Sequence, residues 1–327
     1  MRKVKGRVVD FHRGDRLVRS AAKGLLVFMS LFALAAANPA QGAPRQTSTP
    51  EWVGGSGGVF YRNMVVVLTW HDVGRPTTAD TIPTAAFEQE MTTLRSDHFH
   101  PVSAAVFAAF VQGKKPVPPN AVLLTFDNGD EGVWQNAFPI LKRERFPFLL
   151  FPILQKVGRH PYMLTRAQLR ALAKSPLVTI GSHTYQEHTG APISPNEALP
   201  SDIARIYENG KRESLSHYDA RVLADARLAQ AFIRHYTGKT EPYFSDPFGQ
   251  YTPRLIRLIR EAGFTYDFTT LGWAVVAGAP ADRLPRINVG TSRSTAQSMV
   301  GGILTVAKDT AKSPSWHPPA RHIRIWP

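Results

Sequence analysis

The chain has 327 residues, 43% of them hydrophobic, which is enough to bury one large core, and its lack of cysteine excludes disulfides, thiol nucleophiles and thiolate zinc sites. Its formal net charge is +14, but residues 2–23 hold eight Lys or Arg and two Asp, which leaves a net +8 elsewhere. The other Lys and Arg residues are scattered without a basic stripe, which argues against nucleic acid as a partner and favours an anionic envelope or matrix polymer.

The N-terminal region predicts an export signal. Basic residues 2–23 precede the apolar run GLLVFMSLFALAAA at 24–37 and then small residues. The run is shorter than the roughly 20 apolar residues of a spanning helix, so we expect cleavage without stable membrane insertion and prefer this to a retained anchor. We therefore assign 1–43 to the signal and expect an exported protein of the cell envelope, periplasm or exterior. Residues 44–62, rich in Pro, Gly, Ser and Thr, are predicted as a flexible linker.

Short apolar segments rich in β-branched residues follow the linker and predict buried parallel strands. They alternate with amphipathic stretches, and this alternation predicts an α/β domain over 63–312 whose parallel sheet is closed as a barrel or open. A proline-rich tail at 313–327 is expected at the periphery. The predicted strands are VVVLTW at 65–70, AVLLTF at 121–126, FLLFPI at 148–153 and LVTIG at 177–181.

Three of the helices carry recognisable signals. Thr165 is a candidate N-cap before RAQLRALAK, and residues 219–236 form a long amphipathic stretch. Thr252 followed by Pro253 predicts another helix start, with Gly263 as its stop.

Polar side chains follow two of the predicted strands. The string TFDNG at 125–129 delivers Asp127 and Asn128 to a strand end, where α/β enzymes place their active sites, and Gly129 permits a sharp turn. Alone, this string is as typical of an ordinary turn as of a site. The string SHTYQEH at 182–188 adds His183 and His188, which converge only if their segment is a loop, because a helix would separate them by about 140°. Two imidazoles near an Asx side chain approach a zinc-like site with open water positions.

The combined motifs resemble the polysaccharide deacetylase (NodB-homology, carbohydrate esterase 4-like) family, nearest the branch that N-deacetylates poly-β-1,6-N-acetylglucosamine. The likeness rests on LTFDNG, NAFPILK at 136–142, GSHTYQEH and SDPFGQY at 245–251. The resemblance implies a distorted (β/α) barrel that hydrolyses N-acetyl groups on a biofilm or cell-wall glycan. It also implies one divalent metal ion as cofactor, with zinc as the expected ion. By position, Asp127 is the expected catalytic base, and Asn128, His183 and His188 are the expected metal positions.

The resemblance also implies roles for residues outside these two strings. His71, in WHDV at 70–73, is the expected general acid, with Asp72 as its orienting partner. The backbone N–H of Phe248 is the expected oxyanion donor. Many members carry an Arg where this chain has Ser245, and Arg286 is the candidate replacement.

Asn128 departs from the family, which has a ligand Asp at this position. A neutral amide leaves the cation without an anionic ligand, and three interpretations follow. In the first, a nearby carboxylate such as Asp130 or Glu187 helps to hold the metal ion. In the second, Asp127 itself is a metal ligand, which leaves the base role unfilled. In the third, the protein binds a polysaccharide without cleaving it. The sequence favours the enzyme, with an impaired carbohydrate-binding envelope protein on the same fold as the alternative. A charge-driven nucleic-acid binder ranks far below both.

Overall fold

A computed structural model of the protein describes residues 48–75 and 78–325. The predicted export signal at 1–43 lies outside the described residues. Within them, no helix combines the length and apolar character needed to cross a bilayer.

Among the described residues, seven parallel strands form a distorted barrel. Hydrogen bonding runs in the order β1-β2-β3-β4, β5 pairs with β6, and β7 pairs with β1. The predicted distorted (β/α) barrel is therefore confirmed. The strands are β1 Met64–Trp70, β2 Ala121–Asn128, β3 Phe148–Pro152, β4 Val178–Ile180, β5 Tyr243–Ser245, β6 Tyr266–Phe268 and β7 Ile287–Asn288.

The ring is completed by isolated bridges rather than continuous ladders, which is the source of its distortion. Ser182, just beyond β4, pairs in parallel with Phe244 of β5. Phe268 of β6 pairs with Leu284, three residues before β7. Each joint is thus held by only a few hydrogen bonds, and both joints lie beside strand ends that carry candidate site residues.

Seven helices of the described chain surround the barrel. The predicted signals are confirmed: Thr165 caps α4 in a capping box with Gln168, and Thr252 caps α6 with Pro253 at its first position. The long helix predicted over 219–236 begins four residues earlier, since Ser214 supplies the cap. The helices are α1 Thr84–Ser96, α2 Ala104–Val111, α3 Phe138–Glu144, α4 Arg166–Ala173, α5 Leu215–Thr237, α6 Pro253–Glu261 and α7 Ala296–Lys312.

Alternation along the strands separates two buried layers. Val65 and Val67 of β1 and Leu123 of β2 face the barrel interior, whereas their neighbours pack under the helices. The lower interior is closed by α2, whose Phe107 stacks on Phe268 with centroids 5.7 Å apart. The same alternation directs Asp127 inward at the carboxyl end of β2. This apolar floor leaves the carboxyl ends of the strands as the polar mouth of the barrel.

The prediction that residues 44–62 form a flexible linker is wrong from Glu51 onward. From Glu51 this segment packs on the domain, because Glu51–Trp52 pairs antiparallel with Tyr61–Arg62 and Tyr61 is fully buried. The amide oxygen of Asn120 accepts the N–H of Tyr61 at 3.2 Å, so a residue far along the chain stabilises this segment. Amino-acid composition indicated a linker, because composition carries no information about long-range contacts of this kind.

The proline-rich tail at 313–327 lies against the barrel as far as it is described. Trp316 stacks on Trp273 with centroids 4.7 Å apart, and His322 pairs with Tyr251. The remaining short strands are arranged around the barrel as follows: Asp72–Gly74 with Thr81–Pro83, Gly190–Ser194 with Glu197–Pro200, Tyr207–Glu208 with Lys211–Arg212, His100–Pro101 beside β2, and Val275–Val276 beside β1.

Candidate active site

Asp127 is held by a buried bidentate ion pair. Arg286, which is 1% exposed, donates to both carboxylate oxygens, Nη1 to Oδ1 at 2.8 Å and Nη2 to Oδ2 at 2.7 Å. The hydroxyl of Ser245 lies 3.2 Å from Oδ2 and also accepts from Arg286. Burial raises the pKa of Asp127, but the charge and hydrogen bonds of Arg286 outweigh it and hold the pKa below its usual range. The structure therefore places Arg286 on Asp127 and keeps this carboxylate ionised.

His183 presents a neutral imidazole to the same carboxylate. Its Nδ1–H donates to the carbonyl oxygen of Ser245 at 2.8 Å, and because a carbonyl only accepts, Nε2 carries the lone pair. That Nε2 lies 4.0 Å from Oδ2 of Asp127. Burial, only partly offset by Asp127, lowers the pKa of His183 to about 4. A fixed, neutral imidazole of this kind is suited to metal ligation.

His188 converges on His183, with ring centroids 4.4 Å apart. The segment between them is a loop, as predicted, and Thr184 has a left-handed φ of 67°. The carboxylate of Asp225 on α5 holds this loop by accepting the N–H of Gln186 at 2.8 Å and that of the preceding residue at 2.9 Å. Burial, and then the neighbouring His183, lowers the pKa of His188 to about 2. Both histidines are therefore neutral near pH 7. Sequence analysis missed Asp225, since nothing local ties it to the loop.

Asn128 is the last residue of β2 and has a left-handed φ of 65°. Its backbone carbonyl accepts the N–H of Ile153. Asn128 and Asp130 line a cleft of about 730 Å³. Burial, and then the charge of Asp72, raises the pKa of Asp130 to about 7. The cleft thus holds a carboxyl group two residues after Asn128.

His71 lines the same cleft directly after β1. Its Nδ1 is buried and has no hydrogen-bond partner within residues 48–75 and 78–325. The carboxylate of Asp72 accepts from the hydroxyl of Thr81 at 3.3 Å, and no bond joins it to His71 in the described chain. The predicted orienting role of Asp72 is therefore wrong in this geometry, because Asp72 pairs with a neighbouring strand. The general-acid role of His71 stays a prediction.

Phe248 lies in the turn Pro247–Gly249 with a left-handed φ of 57°. Its ring, 46% exposed, packs on His188 with centroids 4.7 Å apart. The turn is fixed because Gly249 has a φ of 67° and a Cβ there would collide with the side chain of Thr270. This turn places Phe248 next to the histidine pair, and its N–H remains the predicted oxyanion donor.

The donor set fits a divalent cation of the zinc type. Two neutral imidazoles converge, and the Nε2 of His183 is directed by the Ser245 bond. In the described part of the chain, no group of three His, Asp or Glu side chains is arranged to hold a metal ion. The third position stays a prediction, with the Asn128 amide as its candidate. His183, His188 and Asn128 are the residues that would hold the ion.

Comparison with known proteins shows what the chain resembles. The family model described as polysaccharide deacetylase matches residues 114–266, a range that includes Asp127, both histidines and Phe248 but not His71 or Arg286. This stretch of the chain is therefore similar to the polysaccharide deacetylase family.

Proteins similar to this chain include the poly-beta-1,6-N-acetyl-D-glucosamine N-deacetylase of Escherichia coli strain K12, 27% identical over 253 residues. That alignment covers 71% of this chain and only 37% of the E. coli protein. A solved de-N-acetylase from Aggregatibacter actinomycetemcomitans has a TM-score of 0.67 at 23% identity, covering 73% of this chain and 99% of that one. The BpsB deacetylase domain from Bordetella bronchiseptica has a TM-score of 0.61 at 26% identity, covering 69% and 96%.

Proposed function

We propose that the chain is a metal-dependent hydrolase that removes N-acetyl groups from an N-acetylglucosamine-containing polysaccharide and releases acetate. One observation carries the proposal: an ionised Asp127, fixed by Arg286, lies 4.0 Å from the directed Nε2 of a neutral His183. A carboxylate base beside a ligand imidazole is what hydrolysis of an amide requires. The named activity of the E. coli relative supports the choice of an N-acetylated glycan.

The proposed steps use residues of this chain. Asp127 accepts a proton from the attacking water, and its low pKa keeps it unprotonated beforehand. The N–H of Phe248 donates to the oxyanion that develops on the carbonyl oxygen, a contact typically worth about 3 kcal/mol. His71 then gives a proton to the departing amine nitrogen as the carbon–nitrogen bond breaks. The products are acetate and a free amine on the sugar.

A zinc-like ion supplies, when bound, the Lewis acidity that lowers the pKa of water from 15.7 to about 7 and polarises the carbonyl group. His183, His188 and Asn128 hold it in this proposal. The residues beyond the site, such as Asp225 on α5 and the Ser245 carbonyl, keep the histidines in place before the ion arrives.

Export to the cell envelope is part of the proposal. It rests on the basic residues 2–23 and the apolar run at 24–37, which lie outside the described residues. An exported enzyme meets a matrix or cell-wall glycan there, whereas nucleic acid is not a proposed partner. Cell fractionation with an antibody to the domain tests this, and retention in the cytoplasm contradicts it.

Acetate release from N-acetylglucosamine oligomers, with bound metal measured by elemental analysis, tests the activity. We expect wild type to hold one metal ion and release acetate, and Asp127→Asn to lower the rate by about 10²–10⁴-fold. Asp219→Asn is the matched control, since Asp219 is a carboxylate of α5 paired with Arg254 at 2.6 Å. A wild-type protein that releases no acetate in the presence of zinc refutes the proposal.

The impaired carbohydrate-binding protein is the second candidate, and Asn128 is the observation that favours it. Under this alternative, wild type binds oligomers without holding metal or releasing acetate. Activity that appears only in Asn128→Asp would establish it, because that substitution restores the family's anionic ligand. Activity of the unmodified protein would exclude it.

A further inference from the structure

The two histidines of the site are held in different ways. His183 is fixed through its own ring, because Nδ1 donates to the carbonyl oxygen of Ser245 at 2.8 Å. The ring of His188 packs on the rings of His183 and Phe248. Ring packing is less directional than a hydrogen bond, so the direction of the His188 nitrogens depends on the backbone on either side of it.

Both chain neighbours of His188 are bonded to Ser201. The hydroxyl of Ser201 donates to the carbonyl oxygen of Glu187 at 2.8 Å. The backbone N–H of Ser201 donates to the carbonyl oxygen of Thr189, also at 2.8 Å. Ser201 is buried, so water does not compete for these bonds. One serine therefore fixes the main chain before and after the histidine.

Arg221 of α5 joins Ser201 to the side chain of Glu187. Its Nη1 donates to Oε2 of Glu187 at 2.6 Å and to the carbonyl oxygen of Ser201 at 3.0 Å. Its Nη2 pairs with the carboxylate of Glu213 at 2.9 Å. Arg221 thus holds Glu187 twice, directly by its side chain and through Ser201 by its main chain.

Glu187 is thereby directed toward α5. The sequence offers it as a carboxylate that helps to hold the metal ion, but a turn toward the ion would leave Arg221 without this partner in a half-buried position. Asp225 lies one helical turn beyond Arg221 and accepts the N–H groups of the two residues before Glu187. Helix α5 therefore fixes the loop between the histidines at two points.

We infer that Arg221 is a positioning residue for His188 and that it acts through Glu187. This inference rests on the proposed function, in which His188 is one of the residues that hold the ion. Glu187 is needed as a hydrogen-bond acceptor for Arg221 and not as a charge for the ion. Partners beyond the ligands typically change metal affinity by about 10–100-fold.

Two conservative substitutions at Glu187 separate contact from charge. Glu187→Asp keeps the negative charge but is one methylene group shorter, so its carboxylate is withdrawn from Nη1 of Arg221. Glu187→Gln removes the charge but keeps an oxygen that accepts from Nη1. Zinc affinity is measured by competition with a chromophoric chelator, without reference to turnover. We expect Glu187→Asp to weaken zinc binding by about 10–100-fold and Glu187→Gln to bind like wild type.

Glu213→Asp is the matched control. It makes the same shortening at the other carboxylate of Arg221, so it shows whether any damage to this ion pair lowers zinc affinity. Its urea midpoint should fall as that of Glu187→Asp does, but its zinc affinity should equal that of wild type, because Arg221 still holds Glu187. In the double variant Arg221→Met/Glu187→Asp, the loss of affinity should not exceed that of Arg221→Met, since both substitutions remove one contact.

The inference is overturned if Glu187→Asp binds zinc like wild type, or if Glu187→Gln loses as much affinity as Glu187→Asp. An equal loss in Glu213→Asp would mean that the ion pair is merely structural and overturns it as well, as does a double variant that loses more than Arg221→Met. A wild type that holds no zinc overturns this inference, and if it also releases no acetate the proposed function fails with it. An unaffected Glu187→Asp in an active, zinc-binding enzyme overturns this inference alone.

Discussion

The buried pair of Arg286 and Asp127 predicts a large loss of stability in Arg286→Met. The side chains are 0% and 4% exposed, and the substitution removes two charged hydrogen bonds of 2.8 and 2.7 Å. Methionine fills much of the volume, but among the described residues the Ser245 hydroxyl is then the hydrogen-bond partner left to Asp127. Removing one member of such a pair typically costs about 3–5 kcal/mol, because the other charge is left buried.

The loss should depend on pH in a defined direction. Without Arg286, burial dominates and raises the pKa of Asp127 above its unfolded value. The folded variant then binds more protons than the unfolded chain, so its stability falls as pH rises above about 4. We therefore expect a larger deficit at pH 8 than at pH 5.

Urea denaturation followed by tryptophan fluorescence measures both effects. Arg143→Met is the control: Arg143 also bonds carboxylates, those of Glu88 at 2.9 Å and Glu144 at 3.2 Å, but its own side chain is about half exposed. Solvent screens the Arg143 charge, and Glu144 keeps Arg95 as a partner, so this control should unfold close to wild type. The double variant Arg286→Met/Asp127→Asn should recover part of the loss. An Arg286→Met protein that unfolds like the Arg143→Met control at pH 8 would refute the reasoning.

Three further outcomes are expected. Asp246→Asn should raise Tm more at pH 8 than at pH 5. Burial, and then the charge of Asp267, raises the pKa of Asp246, so the folded state loses stability as pH rises. An equal gain in Tm at both pH values contradicts this. Gly132→Ala should cost about 1–3 kcal/mol in urea denaturation, since its Cβ would collide with the side chain of Asp72, and an unchanged midpoint contradicts it. Tyr162→Ala should raise KM for long oligomers but not for a monomer. Tyr162 is 82% exposed at the cleft, and its ring offers a stacking surface to a second sugar. Equal effects on both substrates contradict this prediction.

Local pattern was sufficient where one segment determines its own structure. The apolar run predicted at 65–70 corresponds to β1 at Met64–Trp70, and the caps at Thr165 and Thr252 begin helices as expected. The loop between His183 and His188 was predicted because only a loop lets them converge and because Gly181 and Gly190 flank the segment.

Long-range contacts set the limit of sequence-based prediction. The segment at 44–62 was mistaken for a linker because Asn120, some 60 residues away, satisfies its backbone. The pairing of Arg286 with Asp127 spans 159 residues and was anticipated only through the family resemblance. Asp225 was missed altogether, since an acidic residue within an amphipathic helix gives no signal that it holds a distant loop.

The position of Arg286 in the chain also sets the order in which the site is acquired during synthesis. A nascent chain that has emerged through α6 already contains Asp127 and both histidines. It lacks the guanidinium that keeps the carboxylate ionised, because Arg286 arrives with the last strand of the barrel. The ion pair that allows an ionised Asp127 to be buried can therefore form only when the last strand of the barrel is in place.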